Sequence, residues 1–406
     1  MTMGPLAGTR IVEFAGIGPG PFACMLLGDM GAEIVRIERP GTPVADSKDY
    51  VGRSRSAVVQ LNLKDAAGRN EALEIIARAD ALVEGFRPGV MERLGLGPEP
   101  ALQLNPRLVF GRMTGWGQAG PLAQAAGHDI NYISLTGALS AMGSEGQPPA
   151  PPLNLVGDYG GGALYLVVGL LAGILQARTS GHGQVVDAAM CDGAASLLTH
   201  FFGLYEQGQW TRQREDNLLD GGAPFYRTYA CADGKFLAVG PIEPQFFAIL
   251  RERLRLDEPL FDRQLEQREW PAMRSRLASL LATRPRDEWV LLFEGTDGCV
   301  TPVLDFSEAP HHPHLRSRRT FVEHEGLQPA PAPRFSRTPS GIRSSAALQP
   351  VTSQTVLQSW AATFSSNRPE QGLAVLGTEF SCADSQLKSG TAPNRVDTKE
   401  FPYEGS

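Results

Sequence analysis

Arg10-Ile11-Val12-Glu13-Phe14-Ala15-Gly16-Ile17-Gly18-Pro19-Gly20-Pro21 decides how the chain folds. The first five residues alternate like a buried strand, and the next seven are small or turn-forming. Phe22–Met30 then reads as a helix stopped by Gly31, and Glu33–Ile37 as a second strand. Strand, helix and strand in so short a stretch make a β-α-β unit, which implies a parallel sheet. The glycine turn invites a dinucleotide reading, with Glu38 as ribose ligand. Two features weaken it: Pro21 stands where the third glycine of G-x-G-x-x-G belongs, and Arg39 follows the acid at once. A strand-to-helix turn that needs small residues accounts for the same pattern.

The alternation continues outward from this unit. Ala57–Leu63 reads as a strand, Ala66–Ala79 as an amphipathic helix, Ala81–Glu84 as a strand, Gly89–Leu94 as the start of another helix, and Leu108–Thr114 as a strand before Gly115-Trp116-Gly117. A turn at 181–184 leads to one more strand, then to a helix from Met190 to about Glu206. Residues 1–206 are therefore expected to form a large, doubly wound α/β domain. The character changes after Trp210. Residues 207–221 read as a linker and 222–310 as a small α+β domain. Its hairpin joins Phe225–Ala230 to Lys235–Val239 through Cys231-Ala232-Asp233-Gly234, where Asp-Gly suits a tight turn. Residues 311–360 return toward the large domain. Residues 361–406, rich in Ser, Thr and Gly, are expected to be a disordered tail.

With 406 residues, 42% of them apolar, the chain has ample material for two domain cores. A net charge of -7 argues against a general nucleic-acid binder. Cys24, Cys191, Cys231, Cys299 and Cys382 are scattered, without a C-x-x-C pair, which favours a reducing compartment and no structural zinc. The longest apolar run, Ala163–Leu175, falls short of the roughly 20 residues that span a bilayer. The N-terminus enters a strand without a signal-peptide core. A cytoplasmic protein with no membrane segment is the expectation.

Two further stretches carry the chemistry. Gly127-His128-Asp129-Ile130-Asn131-Tyr132 puts a histidine before a helix expected at Ile130–Ala138. Asn154-Leu155-Val156-Gly157-Asp158-Tyr159-Gly160-Gly161-Gly162 puts a carboxylate and a glycine turn before a helix expected at Ala163–Ala177. Helix starts have unpaired N–H groups and a partial positive charge. Two bases flanking such donors could remove a proton and return it through an anion. On residue chemistry alone, His128 reads equally as an ordinary helix-start residue and Asp158 as a plain N-cap. His311, His312 and His314 are interrupted by Pro313 and preceded by Pro310, so an exposed loop explains them better than a metal site. His182 and His200 read as surface and helix-face residues.

These motifs, with Pro-Leu-Asn-Leu-Val-Gly-Asp at 152–158, Gly-Gln-Val-Val-Asp-Ala-Ala-Met at 183–190, Asp-Gly-Gly-Ala-Pro-Phe-Tyr at 220–226 and Ile-Glu-Pro-Gln-Phe-Phe at 242–247, resemble the racemases of the class III CoA-transferase superfamily that act on 2-methylacyl-CoA. The resemblance covers roughly residues 4–360 and stops at the tail. It implies the class III CoA-transferase fold, an interlocked homodimer and an acyl-CoA substrate. It also implies that His128 and Asp158 are the acid/base pair, with Glu243 on the small domain of the other subunit pairing with His128. Ile17, Arg39, Leu61, Asn62, Leu63, Lys64 and Arg93, with Gly127, Asp129, Ile130, Asn131 and Tyr132, would line the CoA site. Asn62 departs from the pattern, since relatives usually carry aspartate there. Met113, Met190 and Leu219 are candidates for an apolar acyl pocket.

The implied reaction interconverts (2R)- and (2S)-thioesters by 1,1-proton transfer through an enolate, and needs no metal or separate cofactor. The rival reading is a CoA-transferase with Asp158 as acyl-carrying nucleophile, although transferases of this superfamily usually have an aromatic residue at the His128 position. A non-catalytic acyl-CoA-binding module would leave the paired bases unexplained.

Overall fold

The computed structural model describes residues 4–366. Strands β1 (Arg10–Phe14), β2 (Glu33–Glu38), β3 (Ala57–Gln60), β4 (Ala81–Glu84), β5 (Val109–Thr114) and β6 (Val185–Ala189) form one parallel sheet in the order β3-β2-β1-β4-β5-β6. The chain winds outward from β1 in one direction, then resumes on its other side at β4. That reversal opens a crevice beyond the carboxyl ends of β1 and β4, where open α/β sheets bind ligands.

Side-chain alternation along β1 shows why both faces are covered. Ile11 points into a core with Leu27 of α1 (Pro19–Asp29) and with Leu166, Leu170 and Ile174. Val12 and Phe14 point the other way, toward Ile75 and Ile76 of α2 (Ala66–Ile76). Helix α1 begins at Pro19, earlier than its apolar run suggests, because proline fits the first helical position. Charge also enters this sheet. Glu13 is buried on β1 and takes both oxygens to Arg55, at 2.8 and 2.9 Å.

The glycine-rich stretch is not a turn. Leu155–Ala163 is a π-helix that runs unbroken into an α-helix, Leu164–Ser180, called α4 below; α3 is Asp129–Ser134. The glycines serve helix packing instead. A Cβ on Gly161 would stand 2.5 Å from the main-chain nitrogen of Ala194 in α5 (Met190–Leu197), so only glycine admits this approach. The combined segment Leu155–Ser180 is long and apolar enough to cross a membrane, but half of its apolar window is buried in the fold, as in a core helix. Two expected helices are shorter. The one after His128 ends at Ser134, and the one from Met190 breaks at Leu198 before resuming at Thr199–Glu206.

Residues 227–303 carry a separate antiparallel sheet, β7 (Arg227–Ala230), β8 (Phe236–Val239) and β9 (Val300–Val303). Its apolar core is its own: Phe225, Leu237, Leu250, Trp270, Met273 and Trp289 pack together. The chain afterwards returns to the parallel sheet, where Val351 donates its N–H to Val58 at 2.8 Å and Trp360 of a final helix, α7 (Ser353–Ser366), is buried beside Val356; α6 denotes Pro244–Leu254. The six residues Ala361–Ser366, read from sequence as the start of a loose tail, are helical. Residues 367–406 lie outside the described residues.

Candidate active site

The crevice at the switch point is a cleft of about 660 Å³. Its walls come from the carboxyl ends of β1, β4 and β5 (Phe14, Val83, Met113, Thr114) and from the turn Gly16–Pro21. His128 and Asp158 both line it, although 30 positions separate them in sequence. His128 stands before the first residue of α3, and its N–H donates to the Asn131 side-chain oxygen at 3.0 Å. The segment is anchored further by Tyr132, whose hydroxyl donates to the Gly127 carbonyl and whose ring meets Trp116 edge-on at 4.8 Å.

Asp158 sits inside the first turn of the π-helix, not before a helix as the sequence pattern suggests. Its own N–H donates to Asp129 Oδ2 at 2.7 Å, and its Oδ2 accepts from the Asn154 amide at 3.2 Å. A helix start favours the carboxylate form. Here the opposite effect wins. Half-burial pushes the Asp158 carboxyl up from its ordinary range; the Asn154 hydrogen bond opposes this, the Asp129 charge reinforces it, and His128 opposes it. A carboxyl so placed holds a proton more readily than a solvated aspartate does.

Gly18 explains the glycine turn without a nucleotide. It has φ of 69° and would bring a Cβ within 3.2 Å of Asp158 Oδ2. The turn therefore leaves space beside a carboxyl, a role the dinucleotide pattern does not require. Tyr159 stacks on Phe22 at 4.3 Å, and both Met113 and Met190 face the cleft. Leu219 lies outside it. Burial, and then the charge of Asp158, hold the Tyr132 hydroxyl up, while Arg87 pulls the other way.

The other expected contacts divide into three groups. Ile17 is at the cleft lip and is 85% exposed, and Gly127 and Tyr132 line the wall. Arg39 and the stretch Leu61–Lys64 follow β2 and β3 directly, on the same carboxyl edge as the cleft but outside it. Strands lie about 4.8 Å apart, so these positions stand about 5–10 Å along the edge from the end of β1. Arg93 is exposed at the end of a short helix, Val90–Arg93, after β4. Asp129 is a different case: its side chain is buried and turned to the main chain of Asp158 rather than to the cleft. Ile130 and Asn131 are exposed on α3, outside the cleft lining.

Glu243 is not brought to His128 within one chain. It is exposed at the N-cap of α6, on the second sheet's side of the molecule, and does not line the cleft. Sequence reasoning also missed Arg87, Trp116 and Tyr159. Arg87 is exposed on the cleft wall and has no ion pair among the described residues. Its signal was positional, because it comes three residues after the end of β4 on the binding edge of the sheet. His311, His312 and His314 lie on surface turns and a short helix, and among the described residues no cluster of three potential metal ligands occurs.

A doubly wound sheet with an imidazole and a raised carboxyl in its switch-point cleft has the makings of an acid/base enzyme of the α/β class. Residues 6–350 match the model of CoA-transferase family III, and the chain belongs to that family. Among curated relatives, it is 46% identical to the alpha-methylacyl-CoA racemase of Mus musculus over 338 residues, 82% of this chain and 87% of the mouse protein. It is 43% identical to the Homo sapiens protein of the same name, over 82% and 87% of the two chains. The crystal structure of a CAIB/BAIF family protein from Brucella suis shares the fold, with a TM-score of 0.73 at 22% identity over 89% of this chain and 99% of that one.

Proposed function

We propose that this protein is an α-methylacyl-CoA racemase, interconverting (2R)- and (2S)-2-methylacyl-CoA thioesters. The observation that carries this reading is the convergence of His128 and Asp158 on one cleft, from separate elements, in a chain so similar to racemases of that name. The hydrogen α to a thioester is weakly acidic. Inversion requires its removal on one face and its return on the other, and a positioned base contributes roughly 10²–10⁴-fold.

His128 removes the proton from one epimer, and neutral Asp158 delivers a proton to the opposite face. In the reverse direction the roles exchange. The enolate oxygen then needs donors, each worth roughly 2.7–4 kcal/mol. The N–H of Asp158 is spent on Asp129, so the start of its helix is the wrong place to seek them. Among the described residues, the N–H of Asp129, the first of α3, makes no hydrogen bond and directly follows His128, which lines the cleft. We assign the enolate oxygen to it. The chemistry uses no metal or separate cofactor, because the thioester itself acidifies the hydrogen.

Glu243 completes the site if a second copy supplies it. The exposed apolar residues Leu164, Val168 and Leu175 on one side of α4 support an extensive homodimer contact. Free thiols at Cys24, Cys191, Cys231 and Cys299 fit a reducing, cytoplasmic setting. The transferase alternative would use Asp158 as nucleophile and has no use for a base beside it, whereas the imidazole of His128 lines the same cleft.

The deciding experiment presents one epimer of a 2-methylacyl-CoA in deuterated water and follows the α-position by NMR. Deuterium uptake with epimerisation and no acceptor acid is the expected result. Transfer of CoA to an added carboxylic acid, without exchange, would overturn it.

A further inference from the structure

We propose that Asp129 is a positioning residue that ties the two proton-transfer segments together, its buried carboxylate holding the main chain at Asp158 so that the carboxyl stays in the cleft lined by His128. The inference rests on the racemase reading and adds to it a residue that the sequence motif suggests only as a CoA contact. Asp129 follows His128 directly, and one hydrogen bond, Asp158 N–H to Asp129 Oδ2 at 2.7 Å, joins it to a residue 29 positions away. The first N–H groups of a helix lack partners within that helix. The π-helix that carries Asp158 therefore receives a cap from the segment that carries the other base.

Three features show that this tie is built in. Asp129 is 6% exposed, although it is a carboxylate with a single hydrogen-bonded oxygen. Its Oδ1 is buried and has no partner among the described residues. Burying a charge in that way is costly, and such groups are found where function requires them. The path to the Asp158 N–H exists only because residue 157 is glycine. A Cβ there would stand 2.6 Å from Asp129 Oδ2 and 3.1 Å from Ile133 Cγ2. Gly157 has no left-handed backbone to explain its choice, so the close approach of the carboxylate does.

The same placement gives Asp129 an electrostatic effect on the pair. Asp158 faces the Asn154 amide from its own helix, Asp129 and His128 from the α3 segment, the Tyr132 hydroxyl from α3, and the Gly18 main chain from the turn after β1. Of these, Asp129 is the group whose negative charge favours a protonated Asp158, adding to the larger effect of burial. Removing that charge while keeping the hydrogen bond should shift the pH profile of the coupled pair to lower pH.

The test compares Asp129→Ala, Asp129→Asn and Gly157→Ala with the parent enzyme. It reads α-proton exchange and epimerisation for each epimer in deuterated water, kcat and KM separately, and the pH profile. Asp129→Ala should lose about 10–100-fold in kcat, the scale of one charged hydrogen bond, with KM unchanged within about twofold. Asp129→Asn keeps an acceptor oxygen and should recover most of kcat, with its profile moved to lower pH. Gly157→Ala should behave like Asp129→Ala. A raised KM at unchanged kcat would make Asp129 a ligand contact and overturn the inference, as would parental kcat in Asp129→Ala. If Asp129→Ala does not fold, the Asp129→Asn profile decides: no shift refutes the proposal. Should the parent transfer CoA instead of exchanging, the racemase reading fails, and the same kcat split, measured on transfer, still judges the tie.

Discussion

Gly193→Ala is a one-methyl perturbation remote from the cleft that should nevertheless disable it. Gly193 lies in α5, buried against the π-helix. Its added Cβ would fall 1.8 Å from the carbonyl oxygen of Gly161, 2.6 Å from that carbonyl carbon and 2.8 Å from the Gly161 Cα. All three are main-chain atoms, so no side chain can swing aside. The two helices must separate by about 1 Å or more, because interiors are close-packed and do not compress locally. Asp158 is three residues before Gly161, less than one turn along the displaced segment. A misplacement of about 1 Å costs a reacting group on the order of 10²-fold, and overpacking costs about 1–3 kcal/mol of stability.

Exchange at the α-position should therefore fall about 10²-fold for both epimers, and Tm by a few degrees. Gly203→Ala is the matched control. It lies on the next helix, where an added Cβ meets nothing within 4 Å. It should leave exchange unchanged and raise Tm slightly, since alanine favours helix over glycine by about 1 kcal/mol. Parental exchange rates for both epimers in Gly193→Ala would refute the claim that this glycine contact positions Asp158.

Three other expectations are open to direct measurement. His128→Ala should lower epimerisation by roughly 10²–10⁴-fold while Asp158 still exchanges the α-proton of one epimer, so equal exchange of both epimers would remove His128 from the pair. Asp158→Asn should gain thermal stability over the parent as pH rises. The folded carboxyl is raised above its unfolded value, so its contribution is present below about pH 4 and lost as pH climbs through the folded value; melts across pH 4–7 check whether the difference grows with pH, as it should. Arg55→Ala removes the guanidinium that holds both oxygens of the buried Glu13 and leaves it only the longer contact with Arg36 at 3.4 Å; it should cost up to about 3–5 kcal/mol, read from chemical denaturation, whereas a loss under about 1 kcal/mol would show that the pair behaves as a surface ion pair.

The limits of sequence reading here follow from which interactions are local. The β-α-β start was legible because Ile11, Val12 and Phe14 alternate between two apolar layers, and alternation is written in adjacent residues. His128 and Asp158 were legible as candidates because each belongs to a short motif, and the cleft unites them. The triple glycine was misread for the same reason. Locally it signals a turn, but Gly161 answers to a contact with Gly193 and Ala194, some 30 residues away, and Gly162 to Met190 and Pro19, and no local pattern encodes either. Asp129 was grouped with the ligand contacts because it stands among them in sequence, while its burial against Asp158 is a matter of three-dimensional approach. Arg87 offered no motif, only its place just past β4, and that becomes meaningful once the strand order puts β4 beside β1. Glu243 shows the complementary limit. It matches the family pattern at a position that one chain leaves exposed and away from the cleft, so a single chain offers no contact from which to read its role. Under the proposed homodimer a second copy would supply Glu243, and a monomer that retained full activity would count against that role.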